Sequence, residues 1–410
     1  MHVLLIHQAF ASPSEPGGTR HYEFGCHLVR SGYRFTVVTS KISYLTGKPA
    51  SQEPPRAEVE DKCGLHVRRA YALPAHHRGF VWRVISFLVF MCTSTVAALR
   101  AGRVDLVMGT SPPIFQALSA YWVATVRRRP CLLEIRDLWP EFAIDMGVLR
   151  NPLLIALARR MERFLYARAS HLLVNSPAYR DYLQTHGISP DRISLIPNGA
   201  DPDAFDPEAG GESTRRSLGL EGKFVVTYAG ALGMANDIST VLRAAGRLQG
   251  EPQIHFLLIG DGKERPRLEE MAQHLRLSSV TFGGARAKTE MPELLAASDA
   301  CLAILQDIPM FRTTYPNKVF DYMAAGRPTI LAIDGVIRQV LEASGGGIFV
   351  PPGDDDALAA AVRELSQDRV RGRAMGRAAR SYVVSHFNRH VQAAQFQQLV
   401  LALTEPGGSR

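Results

Sequence analysis

The sequence has little cysteine: five residues in 410, at positions 26, 63, 92, 131 and 301, with no C-x-x-C pair. Such an odd, scattered set argues against a disulfide framework and against a zinc site. It predicts reduced, buried thiols in a cytosolic protein. Also missing is a basic segment followed by a long apolar one at the start. Met1-His-Val-Leu-Leu-Ile-His7 has the pattern of a first β-strand, not of a secretion signal. No apolar run reaches the roughly 20 residues that a spanning helix needs. The longest, Val84–Leu99, is bounded by Arg83 and Arg100. Two readings of it stand: a buried helix of the first half, or a helix that partly meets a bilayer surface. Charged residues make up 21%, close to the globular norm, so disorder is not expected. No short-period repeat occurs, and the tail from Glu405 to Arg410 is expected to fray.

What is present is enough chain for two cores. Apolar strand-like runs alternate with helical stretches throughout. In the first half they are Val3–His7, Phe35–Thr39, Val104–Gly109, Cys131–Arg136, His171–Asn175 and Ile193–Pro197. In the second they are Phe224–Ala229, His255–Gly260, Val280–Gly283, Ala300–Leu305, Thr329–Ile333 and Gly347–Pro351. This rhythm predicts an α/β protein of two doubly wound parallel sheets, joined by a Pro-, Gly- and Asp-rich linker over Asn198–Glu221. The net charge of +8 is uneven: residues 1–200 hold 24 Lys and Arg against 14 carboxylates, while the remainder is slightly acidic. No RNA- or DNA-binding motif is interleaved with the basic residues. An anionic membrane surface or a lipid diphosphate therefore suits the first half better than nucleic acid, beside the plainer reading of a solvated basic face.

In open parallel sheets, ligands sit beyond the carboxyl ends of strands. The first strand runs into Pro-Gly-Gly-Thr-Arg-His21, where Gly17 and Gly18 mark either a plain turn or a close backbone approach to a ligand. A helix is expected to begin near Thr19, with Arg20 placed to meet a phosphate or a sugar hydroxyl. The strand at Cys131 ends in Arg136-Asp137-Leu-Trp-Pro-Glu141, a candidate site or a structural ion pair. Gly260-Asp-Gly-Lys-Glu-Arg265 is a strand, a tight turn and a helix start, with Lys263 and Arg265 near that helix N-terminus. In the segment from Pro309 to Pro328, a helix is expected from Asn317 to Gly326. Thr313, Thr314, Asn317 and Lys318 then offer hydroxyls, amides and an ammonium to a diphosphate, and Asp321 lies one turn inside, where a carboxylate can hold both ribose hydroxyls. Asp201-Pro-Asp203 matches D-x-D but reads as a turn, and Asp354-Asp355-Asp356 reads as a helix cap.

At these residues the sequence resembles the retaining GT-B glycosyltransferases of family 4 type. Within them it is similar to the bacterial branch of O-antigen, capsule and colanic-acid-like assembly that includes N-acetylfucosamine transferases. Further markers are Thr-Ser-Pro-Pro-Ile-Phe115, Asn-Ser-Pro177, Ile-Pro-Asn-Gly-Ala-Asp201, Tyr-Ala-Gly-Ala-Leu232 and Tyr-Pro-Asn-Lys-Val-Phe-Asp-Tyr-Met-Ala-Ala-Gly326, spread over nearly the whole chain. The resemblance implies two Rossmann-like domains facing a central cleft. Residues 1–201 would bind the acceptor and 202–388 the nucleotide sugar, while 389–410 would hold a helix, Val391–Leu403, crossing back to the first domain. It implies transfer of an N-acetylated hexosamine or deoxyhexosamine from a UDP-type donor to a polyprenyl-diphosphate-linked saccharide or another glycan. No metal and no other cofactor is required, and the work is done in the cytoplasm, peripheral to the plasma membrane.

The implied catalytic residues are Arg136, Asp137 and Lys318. Arg136 falls where many relatives carry a His that touches the donor sugar. The implied donor-binding residues are Gly17, Gly18, Arg20, Gly230, Gly260, Lys263, Arg265, Arg286, Thr313, Thr314, Asn317 and Asp321. Asp321 matches the second acid of the family's E-x7-E motif, which holds the ribose. The first acid is replaced by Thr313, so front-side attack is expected in place of a carboxylate nucleophile. The Arg and Lys that many relatives use on the diphosphate read as Ala231 and Asn236 here. Lys318 then becomes the first choice for that charge, with Lys263, Arg265 and Arg286 behind it. The rivals are a nucleotide-sugar epimerase on the same fold and a non-catalytic sugar-nucleotide-binding subunit.

Overall fold

The computed structural model describes residues 1–42, 59–60, 62–74 and 79–405. The expected frayed tail lies outside these, save Glu405. The chain divides into two compact units: unit 1 is Met1–Ser12, Gly17–Pro197 and Val391–Arg410, and unit 2 is Pro13–Pro16 with Asn198–His390.

Unit 1 is built on β1 (His2–Ile6), β2 (Arg34–Ser40), β3 (Val59–Glu60), β4 (His66–Ala70), β5 (Leu106–Ser111), β6 (Cys131–Ile135), β7 (His171–Val174) and β8 (Ile193–Leu195). Their order is β3-β4-β2-β1-β5-β6-β7-β8. All neighbours are parallel except β3 and β4. β1, β5, β6 and β7 are buried at every residue, as near-continuous apolar strands must be when helices cover both faces of a parallel sheet. One face is covered by the helices Arg20–Arg30 and Arg389–Thr404, where Phe24 stacks on Phe396 with ring centroids 4.8 Å apart. The other face carries the helices Phe80–Leu99 and Ile114–Arg127, packed through Phe90, Ala98, Ala120 and Val123.

Unit 2 holds β9 (Phe224–Ala229), β10 (Ile254–Ile259), β11 (Val280–Gly284), β12 (Ala300–Ile304), β13 (Thr329–Ala332) and β14 (Gly347–Phe349). The order is β11-β10-β9-β12-β13-β14, all parallel. Cores fill both faces, one around Phe256 and Val362 and the other around Phe320 and Ile337. Two doubly wound parallel sheets are thus present, as the alternation of the sequence predicts.

Four expectations need correction. β4 was not anticipated, because His-Val-Arg-Arg-Ala carries no apolar run; its pairing with β2 in register supplies the missing stabilisation. Cys26 and Cys63 form a disulfide that ties the Arg20–Arg30 helix to the turn before β4, and Cys92 is exposed; only Cys131 and Cys301 are buried thiols. The segment 198–221 is no loose linker. It contains the helix Glu212–Ser217 and buries Ala200, Phe205 and Leu220 in unit 2. Finally, the apolar helix begins at Phe80, four residues before the apolar run, and Val81–Leu99 is long and apolar enough to cross a membrane.

Candidate functional site

In unit 2 the order of strands reverses between β9 and β12, and the polar groups gather beyond the ends of β9 and β10. β9 runs into Gly230 and β10 into Gly260, whose φ is +145°. A Cβ on Gly260 would sit 1.8 Å from the Gly230 carbonyl oxygen, and one on Gly230 would sit 2.5 Å from Lys318 Nζ. Backbone conformation and contact both require glycine at 260, whereas glycine at 230 leaves the space that the Lys318 ammonium fills.

Lys318 is the second residue of the helix Asn317–Ala324, which starts after Pro316 and buries Val319, Phe320, Tyr322 and Met323. That packing fixes the direction of Lys318. Its ammonium donates to Tyr228 Oη at 2.9 Å and to Asn236 Oδ1 at 3.2 Å, and lies 4.0 Å from the centroid of the Tyr228 ring. Tyr228 Oη in turn donates a hydrogen bond to the Ala231 carbonyl at 2.8 Å. Asn236 thus accepts from Lys318 directly, while Ala231 holds the Tyr228 hydroxyl that does the same. No carboxylate among the described residues pairs with Lys318, and burial pushes its pKa down to about 7.

The other expected cations are placed differently. Arg265 is held by Glu269 at 2.7 Å with Asp261 at 3.8 Å, and Arg286 by Glu290 at 3.2 Å, so both charges are already balanced. Lys263 is exposed in the turn before the helix Arg265–His274. The hydroxyls of Thr313 and Thr314 are engaged within the preceding turn, donating to the carbonyls of Met310 and Phe311 at 2.6 and 2.9 Å. Asn317 is exposed at the helix start. Asp321 is ion-paired with Lys288 at 2.5 Å, a partner that the sequence did not suggest because the two are 33 positions apart. Asp201 and Asp203 stand with His390, three possible ligand atoms within 4.8 Å of one another, and Asp201 caps the turn Pro202–Ala204 through the Asp203 amide.

In unit 1 the expectation for Arg20 is overturned. It is buried, its Nε donates to Glu134 Oε1 at 2.8 Å, and its other nitrogens donate to the carbonyls of Ile196 and Pro197, each at 2.7 Å. It braces β6 to the end of β8. Glu134, fully buried on β6, also accepts from His21. Burial works to raise its pKa, yet His21 and Arg20 hold it well below the carboxylate range. Gly17 and Gly18 are exposed ahead of this helix.

Beyond the ends of β1, β6 and β7 lie His7, Arg136 and Asn175. Both ring nitrogens of His7, Nε of Arg136 and Oδ1 of Asn175 are buried without a hydrogen-bond partner among the described residues. The His7 ring meets His21 edge-on at 4.5 Å, and burial with the charge of Arg136 lowers its pKa well below the usual value, so it is a neutral imidazole. Asp137 is raised to about 6, chiefly by burial. Unpaired buried groups at strand ends are costly to a fold and are what a ligand satisfies. Sequence reasoning singled out Arg136 and Asp137 in this cluster but not His7, which is strand-like in pattern, or Glu134, hidden in an apolar run.

Two parallel-sheet Rossmann-like units in one chain are the architecture of the GT-B class. Residues 17–199 match the family described as "Glycosyl transferase 4-like domain" and residues 223–368 the family described as "Glycosyl transferases group 1". The chain belongs to the GT-B glycosyltransferases, with a domain of each of these two families. The putative colanic acid biosynthesis glycosyl transferase WcaI of Escherichia coli (strain K12) is 24% identical over 276 residues, 65% of this chain and 67% of its own length. Sucrose-phosphate synthase from Thermosynechococcus elongatus shares the fold at a TM-score of 0.76, with 22% identity over 98% of each chain. Anabaena Alr3699/HepE, solved in complex with UDP and glucose, has a TM-score of 0.75 and 18% identity, over 97% of this chain and 99% of that one.

Proposed function

We propose that this glycosyltransferase moves an N-acetylated hexosamine or deoxyhexosamine from UDP, with retention, onto a polyprenyl-diphosphate-linked saccharide or related glycan. It would do so in bacterial surface polysaccharide assembly, on the cytoplasmic side of an anionic membrane. The observation that carries this reading is Lys318: a sheltered ammonium without a carboxylate partner among the described residues, set beside the glycine turns that follow β9 and β10. As the glycosidic bond breaks, negative charge grows on the departing diphosphate, and a fixed cation stabilises that charge most in the transition state. Without a pair of carboxylates at the site, a double displacement has no nucleophile. The departing phosphate then accepts the proton of the incoming hydroxyl on the same face of the sugar. Unit 1 would take the acceptor, with Arg136 and Asp137 meeting a sugar.

The purified protein should transfer sugar from a UDP donor to a polyprenyl-diphosphate saccharide in EDTA, and NMR should find the donor's anomeric configuration in the product. An inverted product overturns the front-side step. Loss of transfer in EDTA, restored by manganese and abolished by Asp201→Asn, would instead make the Asp201–Asp203–His390 cluster a metal site.

Asp321 is assigned to the ribose. Asp321→Ala should raise the UDP dissociation constant about tenfold or more, the loss of one charge-assisted hydrogen bond being about 1.5–3 kcal/mol. An unchanged constant by calorimetry would leave Asp321 as no more than the counter-ion of Lys288.

A further inference from the structure

Three neighbouring helices cover one face of the unit 1 sheet: Phe80–Leu99, Ile114–Arg127 and Pro152–Arg168. The first two meet where Phe87 stacks on Phe115, 6.3 Å between centroids, and the last two where Tyr121 meets Phe164 edge-on at 5.2 Å. Their outer surfaces are unusually apolar for a face directed at water. Trp82 and Leu88 are exposed on the first helix, and Trp122 and Val126 on the second. On the third, Leu153 is 77% and Leu157 60% exposed, one helical turn apart. Scattered apolar residues are ordinary on a surface, but a run of them across three adjoining helices marks a contact face.

The charges single out the occupant. The three helices carry six arginines, at 83, 127, 159, 160, 163 and 168, and a single carboxylate, Glu162. Glu162 is buried, accepts from Tyr166 Oη at 2.8 Å, and is raised to about 7 by burial, so it contributes little negative charge outside. Arg159 is paired with Glu141, whereas Arg160, Arg163 and Arg168 are exposed and have no ion pair among the described residues. A face of Leu, Val and Trp studded with arginine and without an exposed carboxylate is complementary to an anionic lipid surface. A protein partner would more often be met by charges of both signs.

We infer that the outer face of these three helices, centred on Pro152–Arg168, seats unit 1 on an anionic bilayer without crossing it. This rests on the reading above that the acceptor is lipid-linked, and names the surface that would bring the protein to it. The helix Phe80–Leu99 is apolar enough to span, but Phe90 and Ala98 on its inner side belong to the sheet's core, so it lies along the bilayer surface. The Pro152–Arg168 helix supplies both leucine anchors and the unpaired arginines. Trp82 and Trp122 sit at the depth of the headgroups.

The test uses the full chain with vesicles of phosphatidylcholine, with and without phosphatidylglycerol. Flotation should show binding to the anionic vesicles alone, weakened by salt as screening shortens electrostatic reach to about 8 Å at physiological ionic strength. Leu153→Gln with Leu157→Gln, and separately Arg160→Gln with Arg163→Gln, should each weaken binding at least about tenfold. UDP affinity and thermal midpoint should stay unchanged. Equal vesicle binding by the parent and both variants overturns the proposal, as does binding indifferent to lipid charge. A concentration-dependent dimer that the leucine variant abolishes also overturns it, since a second copy would then cover the face. Vesicle binding without UDP binding would count against the transferase reading and leave the docking face standing.

Discussion

Replacing Lys318 with Ala is expected to lower kcat by about 10²–10³, the scale of losing one preorganised donor at a developing oxyanion. The donor KM should change less, because the charge that Lys318 meets grows only as the bond breaks. The pH dependence carries a sign of its own. Burial brings the Lys318 pKa to about 7, so the ligand-free site is cationic below that pH and neutral above it. Donor kcat/KM, which reports the free enzyme, should therefore fall as pH rises past about 7. The bound diphosphate raises the pKa, so the limb in kcat should appear at higher pH. Lys318→Arg need not restore the rate, since a planar fork replaces a compact charge, but it should remove the limb.

Stability should move the opposite way. The ordinary lysine value is 10.5, so the unfolded chain holds the proton more tightly and folding is penalised most below about pH 7. That penalty relaxes as pH climbs toward the ordinary value. Lys318→Met should accordingly raise the thermal midpoint at neutral pH while lowering kcat as Lys318→Ala does. A strongly raised KM with intact kcat would make Lys318 a uniform binding contact and pass the leaving-group role to Lys263 or to backbone amides.

The second large effect concerns Glu134. Glu134→Ala is expected to cost about 3–5 kcal/mol, because it leaves Arg20 buried without its counter-charge. All three tryptophans, Trp82, Trp122 and Trp139, belong to unit 1, so fluorescence in urea follows that unit alone. The folded pKa of Glu134 is depressed, so its contribution is complete above the ordinary carboxylate value of 4.5 and is lost as pH falls below it. The gap between the parent and Glu134→Gln should hence shrink in acid. A difference under about 1 kcal/mol at pH 7 would mean that water, not the carboxylate, satisfies Arg20.

The contrast between Arg20 and Lys318 shows what was legible in the sequence. Strand positions were readable because a sheet buried on both faces demands unbroken apolar runs, as in Phe224–Ala229, which the structure reproduces residue for residue. β4 escaped because its His-Val-Arg-Arg-Ala sequence gains its pairing from β2, 30 positions away. Lys318 could be singled out from local order, a strand, a turn and a helix start, and the structure sets its ammonium beside the two glycine turns. Arg20 occupies an equally suggestive place after β1, yet its partner Glu134 is 114 residues distant and looks like part of an apolar strand. Long-range partners such as Lys288 for Asp321, or Cys63 for Cys26, leave no trace in local pattern.

The contact of Gly230 with Gly260 bears on how this chain can drift through sequence space. A side chain at Gly260 meets the Gly230 backbone, which no trimming of a neighbour can clear, and one at Gly230 can be housed only by pushing the Lys318 ammonium out of its place. A saturation library scored for activity should return only glycine at these two codons and be permissive at Asn236, where the ammonium can trade one oxygen for another, while Tyr228 stays constrained by its burial in the core. New donor preferences can therefore arise by re-dressing the walls around Lys318, whereas the floor beneath it admits no single-step neighbour.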